Sequence, residues 1–246
     1  GTALAGQSIG KALILDFSKH VNRVLELNTD ERWVRVEPGV VLDELNAYLR
    51  PHGLQFAPDV ATSNRANIGG MISNNSSGAH SIVYGKTIDH VSELRVILAD
   101  GSEVTFCELN EDGLHRKMDQ KDLEGQCYRE VVRLAAVHRE EIGRRYPKVL
   151  RRVGGYNLDE FTKGEPFNMC RMVVGSEGTL ATIVGAKLHL VPLPKAKVLG
   201  VAQFHDLLEA MKAVVPILET GPAALELMDK MIMDQTKGSL SLARQR

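Results

Sequence analysis

The sequence has 246 residues, a length that fits one large domain or two small ones. It is 43% hydrophobic and 25% charged with a formal net charge of -1, so nothing in it indicates binding to nucleic acid or to an anionic membrane surface. Only 5% of the residues are aromatic, which also argues against a stacking platform for bases. No apolar run approaches the length of a membrane span, so we expect no transmembrane segment.

The opening GTALAGQSIG lacks an initiator Met and the basic start and apolar core of a signal peptide. It looks like either a tail or the second half of a glycine-rich phosphate loop, and we therefore expect a fragment. The three cysteines, Cys107, Cys127 and Cys170, are scattered and form no CxxC or Cys/His spacing. They fit ordinary thiols in a reducing compartment, which predicts a cytoplasmic location.

The first third of the chain predicts short regular elements. Residues 11–17 (KALILDF) form an apolar run typical of a buried strand, and residues 33–37 (WVRVE) alternate as a half-buried strand does. Residues 41–49 carry apolar side chains at helical spacing, and Gly53 suits the end of that helix.

Regular periodicity fails over residues 58–91, the longest irregular stretch of the sequence. Gly69, Gly70, Gly78 and Gly85 alternate there with short Ser, Thr and Asn side chains. Glycine lets a backbone approach a ligand closely, and long irregular segments inside a domain are usually functional. The stretch predicts a segment that wraps a ligand; a structural loop is the alternative.

Further along the chain, residues 91–98 and 103–106 predict a hairpin around the Asp100-Gly101 turn. A charged surface excursion is expected over 110–124, one helix over 128–144 and an irregular glycine-bearing stretch over 151–159. Residues 171–175 are strand-like, 176–179 are a turn or helix start, and 182–191 are β-rich. After Pro192 and Pro194 a second unit would begin with a strand over 198–204 and helices over 206–218 and 224–233.

Known nucleotide and hydrolase motifs are missing, because neither GxxxxGK[ST], GxGxxG, HExxH nor GxSxG occurs. Three separate polar, glycine-bearing segments remain, at residues 1–7, 58–85 and 175–183. One compact ligand needs only one such segment, so three predict an extended, phosphate-bearing cofactor bound mostly by backbone N–H groups. Glu177, between two glycines in GSEGT, is either a ligand for backbone N–H or ribose hydroxyl groups or a simple turn acid.

Several segments, in order and spacing, resemble the vanillyl-alcohol oxidase / p-cresol methylhydroxylase (PCMH-type) flavoprotein superfamily. They are GTALAGQ, IGGMISNNSSGAHSIVYGKTIDHV, ELRVILADGSEV, RRVGGYNLDEF and VVGSEGTLATIVGAKLHLVPLP. The subgroup most similar is the FAD-linked 2-hydroxy-acid dehydrogenases, which include the glycolate oxidase, D-lactate dehydrogenase and D-2-hydroxyglutarate dehydrogenase types. GTALAGQ and SNNSSGAHS resemble most the long members fused to an iron–sulfur oxidoreductase.

The resemblance implies an α+β fold with a mixed or antiparallel sheet and flanking helices. Residues 1–194 would be a PCMH-type FAD-binding domain lacking its N-terminal part, and residues 195–246 the beginning of the α+β substrate, or cap, domain. The catalytic and metal-binding residues of the family would lie in the rest of that second domain, so no catalytic residue and no metal ligand is named for this chain.

The resemblance also implies an FAD site. Asn74 stands where many relatives have Thr, and Ala181 and Thr182 depart from the commoner GTLGI pattern, so Thr182 is left out of the set. His80 is either a flavin-contacting or covalently attached residue or an ordinary loop histidine. The implied cofactor-binding residues are Gly1, Thr2, Gly6, Pro58, Asp59, Gly69, Gly70, Asn74, Ser77, Gly78, Gly85, Glu177, Gly178 and Ile183.

The implied function is oxidation of a D-2-hydroxy acid, with hydride transfer to flavin N5 and electron transfer to a non-oxygen acceptor such as an iron–sulfur domain or protein. Such a protein would be cytoplasmic or peripheral to the membrane. The alternatives are an FAD-dependent oxidase of a sugar or aldonolactone, and a non-catalytic nucleotide-binding fragment. The absent C-terminal part, and any metal-binding histidines in it, would separate these alternatives.

Overall fold

The structure, a computed structural model, describes residues 1–3, 6, 8–164 and 166–236. The chain divides into two compact units, Gly1–Leu193 and Pro194–Arg246. The strands are β1 Val24–Asn28, β2 Trp33–Val36, β3 Leu54–Gln55, β4 Val91–Ile97, β5 Glu103–Phe106, β6 Glu108–Leu109, β7 Phe167–Asn168, β8 Thr182–His189 and β9 Val191–Pro192. The helices are α1 Leu42–Leu49, α2 Ile68–Asn74, α3 Ser81–Tyr84, α4 Glu111–Asp119, α5 Leu123–Val137, α6 Arg139–Arg145, α7 Cys170–Val173, α8 Leu207–Leu218 and α9 Lys230–Gln235.

The first unit is built on a five-stranded sheet in the order β1-β2-β8-β4-β5, in which every neighbouring pair is antiparallel. The late strand β8 lies in the middle, between β2 and β4, so the chain returns to the centre of the sheet just before the unit ends. Two short antiparallel ribbons, β3 with β9 and β6 with β7, accompany the sheet. The predicted α+β class is confirmed, and the sheet is antiparallel.

Local sequence patterns explain the elements that were predicted correctly. The alternation in WVRVE buries Val34 and Val36, one face of β2. Leu42, Leu45 and Leu49 put the apolar stripe of α1 against the core. The chain leaves this helix through one 3-10 turn and Gly53, whose left-handed φ of 68° a glycine adopts without strain.

The hairpin between β4 and β5 also follows the prediction. Gly101 has a φ of 84°, and the carboxylate of Asp100 accepts hydrogen bonds from the backbone N–H and the hydroxyl of Ser102. Leu94 and Val96 of β4 are buried in the hydrophobic core. This part of the fold is therefore encoded by local turn chemistry and alternation.

Residues 11–17 do not form the predicted strand. They carry no ladder hydrogen bonds, and Leu13 is 87% exposed. An apolar run becomes a strand only where a partner strand can pair with it, and the described residues supply none here. The segment instead lies along a cleft in the first unit.

Two other strand predictions are wrong. Residues 171–173 lie in the single-turn helix α7, whose start is stabilised by the Asn168 side chain accepting a hydrogen bond from the Cys170 N–H at 2.9 Å. Burial of Met172 and Val173 outweighs the strand preference of valine. Residues 198–204 form no strand and pair with no strand among the described residues of the second unit.

Several helix boundaries also differ from the predictions. Residues 58–91 are not wholly irregular, because they contain α2, α3 and a 3-10 turn over Thr87–Asp89. The expected surface excursion over 110–124 contains α4, which Asn110 caps by accepting a hydrogen bond from the Gly113 N–H. The single helix expected over 128–144 is two helices, α5 and α6, which are separated at His138.

The second unit, described to residue 236, contains α8 and α9. Asp206 and Asp229 cap these helices by accepting backbone hydrogen bonds from Glu209 and Ile232. The predicted helix over 206–218 is confirmed, whereas the one predicted over 224–233 is displaced to Lys230–Gln235. Across the described parts of both units, we find no helix with the length and apolarity needed to span a membrane.

Candidate functional site

A cleft of about 1100 Å³ opens beside α2 in the first unit. Three segments that are distant in sequence supply most of its lining: described residues between 1 and 18, residues 60–76, and residues 177–183; Pro38 also contributes. These largely coincide with the three polar, glycine-bearing segments singled out in the sequence. The predicted cofactor-binding residues that line the cleft are Gly1, Thr2, Gly69, Gly70, Asn74, Glu177, Gly178 and Ile183.

The start of α2 is held against the preceding strand–helix turn by backbone hydrogen bonds. The N–H of Ile68 donates to the Val40 carbonyl and the N–H of Gly69 to the Pro38 carbonyl, each at 2.8 Å. Among the described residues, the N–H of Gly70 has no acceptor. The first N–H groups of a helix have no partner within it, so this N–H can donate to a ligand oxygen.

Gly69 and Gly70 have different roles. A Cβ on Gly69 would lie 2.6 Å from the Cβ of Pro38, so glycine is required for α2 to pack on that turn. A Cβ on Gly70 would have no neighbour within 4 Å and would extend into open space. Because Gly70 lines the cleft, its missing side chain leaves room for a ligand to approach the backbone.

The other end of α2 is tied to the GSEG turn that leads into β8. The Gly175 N–H donates to the Ile72 carbonyl and the Glu177 N–H to the Ser73 carbonyl, both at 2.9 Å. Backbone N–H groups of the turn thus donate to two of the carbonyl groups that have no partner within the last turn of the helix. It also fixes the position of Glu177 relative to Asn74, whose amide nitrogen donates to the Glu177 Oε1 at 2.8 Å.

Glu177 adopts a left-handed backbone with a φ of 52°, between Gly175 at 83° and Gly178 at 74°. A non-glycine residue in this region costs about 1 kcal/mol or more, and such strain concentrates at ligand sites. The conformation lets a carboxylate line the cleft at the same point as the Asn74 amide. Glu177 is therefore more than an exposed turn acid.

The charged side chains of the cleft are few. Among its described lining residues, Arg65 is the cation, and Asp16 and Glu177 are the acids. The Ser18 hydroxyl and backbone N–H hold the pKa of Asp16 below its usual value. Hydroxyl groups are present too, with Thr62 Oγ1 lying 3.4 Å from Thr2 Oγ1. A phosphate in this cleft would thus be bound by backbone and hydroxyl donors more than by charge.

The remaining predicted site residues lie outside the cleft lining. They are Gly6, Pro58, Asp59, Ser77, Gly78 and Gly85.

Gly78 and Gly85 in this group have packing roles that the structure makes explicit. A Cβ on Gly78 would lie 2.0 Å from the Asp59 carbonyl oxygen, so two passes of the loop touch there. Gly85 has a φ of 72°, and a Cβ on it would meet the Asp89 carboxylate at 2.4 Å. Gly6 also has a positive φ, 75°, and its N–H donates to the Ala3 carbonyl.

The sequence prediction missed several residues of the cleft. Thr182, set aside because it departs from the family pattern, lines it, as does the 12–18 segment, most of which was expected to be a strand. The neighbouring polar residues Thr62, Asn67, Ser73 and Ser76 line it too. Their position inside the three polar segments was the available signal. Which face of each segment meets the cleft could not be read from the sequence.

The described residues contain no cluster of three or more His, Cys, Asp or Glu side chains arranged to hold a metal ion.

Two family models match the chain in the order of the two units. Residues 1–106 match the FAD binding domain, and residues 193–244 match the C-terminal domain of FAD linked oxidases. The chain is thus similar, in order along the sequence, to two domains of FAD-linked oxidases. These matches indicate FAD as the cofactor, in agreement with the cofactor that the resemblance implied.

The similar proteins are named as 2-hydroxy-acid dehydrogenases and a glycolate oxidase. A D-2-hydroxyglutarate dehydrogenase of Pantoea ananatis is 39% identical over 237 residues, covering 95% of this chain and 23% of that protein. One from Pseudomonas putida is 37% identical over 234 residues, with the same coverage. The glycolate oxidase protein GlcD of Bacillus subtilis is 28% identical, covering 94% of this chain and 39% of that protein. The chain thus spans about a quarter of the length of the first two.

A solved structure of alkyldihydroxyacetonephosphate synthase is also similar, with a TM-score of 0.44 and 19% identity over 72% of this chain and 23% of that one.

The residues of the cleft suit the cofactor. Gly70 offers an unpaired N–H and open space, and the carboxylate and amide of Glu177 and Asn74 offer the acceptor and donor that hydroxyl groups need. An extended dinucleotide can be contacted at three points, because all three polar segments meet in this cleft.

Proposed function

We propose that residues 1–194 are the FAD-binding domain, and residues 195–246 the beginning of the substrate domain, of an enzyme that oxidises D-2-hydroxy acids. The observation that carries the proposal is the meeting of three distant polar segments in one cleft at Gly70, whose N–H is unpaired among the described residues. The names of the proteins similar to this chain support the substrate class.

We assign the cleft residues by their chemistry. Gly1, Thr2 and Gly70 would hold the phosphates through N–H and hydroxyl donors, since the site has little positive charge. Gly69, whose N–H is engaged by the Pro38 carbonyl, would keep α2 packed on the preceding turn. Asn74, Glu177, Gly178 and Ile183 would hold the polyhydroxyl part of FAD. Gly6, Pro58, Asp59, Ser77, Gly78 and Gly85 would shape the loops around it.

Bound FAD would supply the acceptor for the hydride that leaves the hydroxyl-bearing carbon, at flavin N5. The chain would position the cofactor and limit the access of water. The strained turn at Glu177 and the close contact of Gly69 with Pro38 both restrict how α2 can move, so the site is held ready before the cofactor binds.

We further propose that electrons leave to an iron–sulfur domain or protein, and that the protein is cytoplasmic or peripheral to the membrane. The resemblance of GTALAGQ and SNNSSGAHS to members fused to an iron–sulfur oxidoreductase supports the acceptor. Anaerobic substrate reduction followed by electron paramagnetic resonance tests it, because transfer produces the signal of a reduced cluster.

The first measurement is the visible absorption spectrum of the full-length protein that carries this chain, before and after denaturation and filtration. The proposal expects a flavin spectrum, release of FAD into the filtrate, and anaerobic bleaching by D-2-hydroxyglutarate, D-lactate or glycolate. Bleaching by an aldonolactone with fast reoxidation by oxygen would favour the sugar-oxidase alternative. A colourless protein that ignores added FAD would favour the non-catalytic fragment.

A further inference from the structure

Residues 151–161 (RRVGGYNLDEF) form one of the segments that resemble the flavoprotein superfamily, yet none of them is among the described residues that line the cleft. Two adjacent members of this segment, Tyr156 and Asn157, contact the turn that carries Glu177. They do so on either side of Glu177, at Thr179 and at Val174. The segment can therefore affect the cleft through this turn.

Asn157 holds the N-terminal side of the turn. Its side chain is buried, and its amide nitrogen donates to the Val174 carbonyl at 2.7 Å and to the Arg171 carbonyl at 3.1 Å. In a continuing helix the Arg171 carbonyl would accept from the Gly175 N–H, but that N–H donates to the Ile72 carbonyl of α2. The Asn157 amide thus replaces the helical partner where the chain leaves α7 and enters the turn.

The orientation of the Asn157 amide is fixed by its oxygen. The Arg152 guanidinium donates to the Asn157 Oδ1 at 3.3 Å and also forms an ion pair with Asp159 at 2.5 Å. The side chains of Arg152 and Asp159 are only 14% and 21% exposed, so the pair is largely shielded from solvent. Because a guanidinium can only donate, the amide oxygen must face it and the amide nitrogen must face the two carbonyl groups.

Tyr156 holds the C-terminal side of the turn. Its hydroxyl lies 2.9 Å from the Thr179 Oγ1. The Thr179 hydroxyl donates its own proton to the Ser176 carbonyl at 2.5 Å, so the Tyr156 hydroxyl is the donor between the two. The Tyr156 carbonyl in turn accepts a hydrogen bond from the Tyr146 hydroxyl at 2.9 Å, which links the segment to the end of α6.

The turn needs support from outside because of its backbone conformation. Gly175, Glu177 and Gly178 have positive φ values of 83°, 52° and 74°. The left-handed conformation is unfavourable at a non-glycine residue and persists only where the surroundings hold it. Carbonyl groups of α2 hold the turn from one side, and Tyr156 and Asn157 hold it from the other.

We propose that Tyr156 and Asn157 are positioning residues for the cofactor, because they hold the turn in the form that places the Glu177 carboxylate in the cleft beside the Asn74 amide. The inference rests on the proposed function, since it takes Glu177 as a ligand of the polyhydroxyl part of FAD. Neither positioning residue lines the cleft, so its effect on FAD binding must pass through the turn. A side chain that only stabilised the fold would have no special coupling to Glu177.

The first test measures the FAD affinity of the full-length protein that carries this chain, after removal and readdition of the cofactor, by quenching of flavin fluorescence. Tyr156→Phe removes only the hydroxyl of a residue that is 42% exposed. It should raise the dissociation constant for FAD about 3- to 10-fold, the effect of one lost hydrogen bond. Tyr48→Phe is the matched control, since Tyr48 is 46% exposed, lies outside the cleft lining and has no hydrogen-bond partner for its hydroxyl among the described residues.

Asn157→Ala should raise the dissociation constant for FAD about 10- to 100-fold, because two carbonyl groups lose their donor. Asn168→Ala is the matched control. Asn168 is also buried, donates to the Ser92 carbonyl at 3.1 Å and accepts from the Cys170 N–H, and has no hydrogen bond to the turn among the described residues. Both variants should lower the midpoint of urea denaturation, but Asn168→Ala should keep the FAD affinity within about twofold of the parent.

A double-mutant cycle with Glu177→Gln tests whether the effect passes through the turn. In the parent protein, Glu177→Gln should raise the dissociation constant for FAD about 10- to 100-fold, because a hydrogen bond to a charged group is lost. In the Tyr156→Phe or the Asn157→Ala background this factor should be at least about threefold smaller, because the carboxylate is no longer held in the cleft. Gly70→Ala, at the other end of α2, should weaken binding by the same factor in every background.

The inference is wrong if Tyr156→Phe and Asn157→Ala bind FAD as tightly as their controls, or if Glu177→Gln weakens binding by the same factor in every background. Should Asn157→Ala fold poorly, Tyr156→Phe decides by itself, because it keeps the ring in place. A parent protein that binds no FAD, or whose FAD affinity is unchanged by Glu177→Gln, would refute the proposed function of the cleft and the inference with it.

Discussion

Replacing Gly70 by alanine should change folding stability and FAD affinity in opposite directions. The new Cβ would meet no atom within 4 Å, so the fold accommodates it. Alanine in a helix is more stable than glycine by about 0.5–1 kcal/mol, because glycine loses more backbone freedom on folding. The same methyl group would occupy cleft space beside the unpaired N–H, and crowding of this kind costs a bound ligand about 1–3 kcal/mol.

At 25 °C that cost corresponds to a dissociation constant for FAD raised about 5- to 150-fold. Urea denaturation of the apoprotein measures the stability, and quenching of flavin fluorescence measures the affinity. Gly69→Ala is the matched control, because its Cβ would lie 2.6 Å from the Pro38 Cβ and should destabilise the apoprotein by about 1–3 kcal/mol. A Gly70→Ala protein that is less stable, or that binds FAD unchanged, would refute the assignment of this glycine to the cofactor cleft.

Three further predictions concern the fold around the site. Tyr128→Phe should leave stability unchanged or raise it by up to about 1 kcal/mol in urea denaturation, because the Tyr128 hydroxyl is buried without a partner among the described residues. Asn75→Ala should lower the free energy of unfolding by about 2–4 kcal/mol, and Asn75→Gly should lower it by about 1 kcal/mol less. Both variants lose the 3.0 Å hydrogen bond from the Ile88 N–H, but only alanine is strained at a φ of 54°. Equal losses of stability in urea denaturation would contradict the role of strain. The hydrogen bonds from Arg23 hold the pKa of Glu37 below its usual value. The stability that this pair contributes should therefore be present above about pH 4.5 and lost as the pH falls through the lower pKa of the folded state. The thermal midpoint of Glu37→Gln should lack this part of the acid dependence.

Local chemistry was sufficient for part of the fold. Alternation in WVRVE, the leucine stripe of α1 and the Asp100-Gly101 turn each specify their own element, because one face of each must be buried and the turn has a preferred backbone. Asn110 and Asp122 each cap a helix start, so α4 has a local N-terminal signal even though its charged composition predicted a surface excursion. The strand–turn–strand of residues 91–106 could be predicted for the same reason.

The missed elements depend on partners that are distant in sequence. Residues 11–17 have the composition of a buried strand but form none, since no strand among the described residues pairs with them. Most of them line the cleft. Residues 171–175 have strand-forming valines, yet the first three of them lie in a helical turn that burial stabilises. A segment of five to seven apolar residues suits either environment, and only its neighbours select one.

For the site, the amino-acid pattern was enough to locate the segments from which much of the cleft lining comes. These are residues 1–7, 58–85 and 175–183, where glycine and short polar side chains alternate, and the first two of them lie within the match to the FAD binding domain. How the members of those segments divide between ligand and packing roles depends on long-range contacts. The fold brings Gly70, Asn74 and Glu177 to one cleft, while Gly78 and Gly85 serve close packing and Asp59 holds His80 beside the loop that Arg151 contacts. Glycine allows either a ligand or another stretch of backbone to approach closely. The sequence around the glycine can be the same in both cases, so only its neighbours in space show which of the two roles it has.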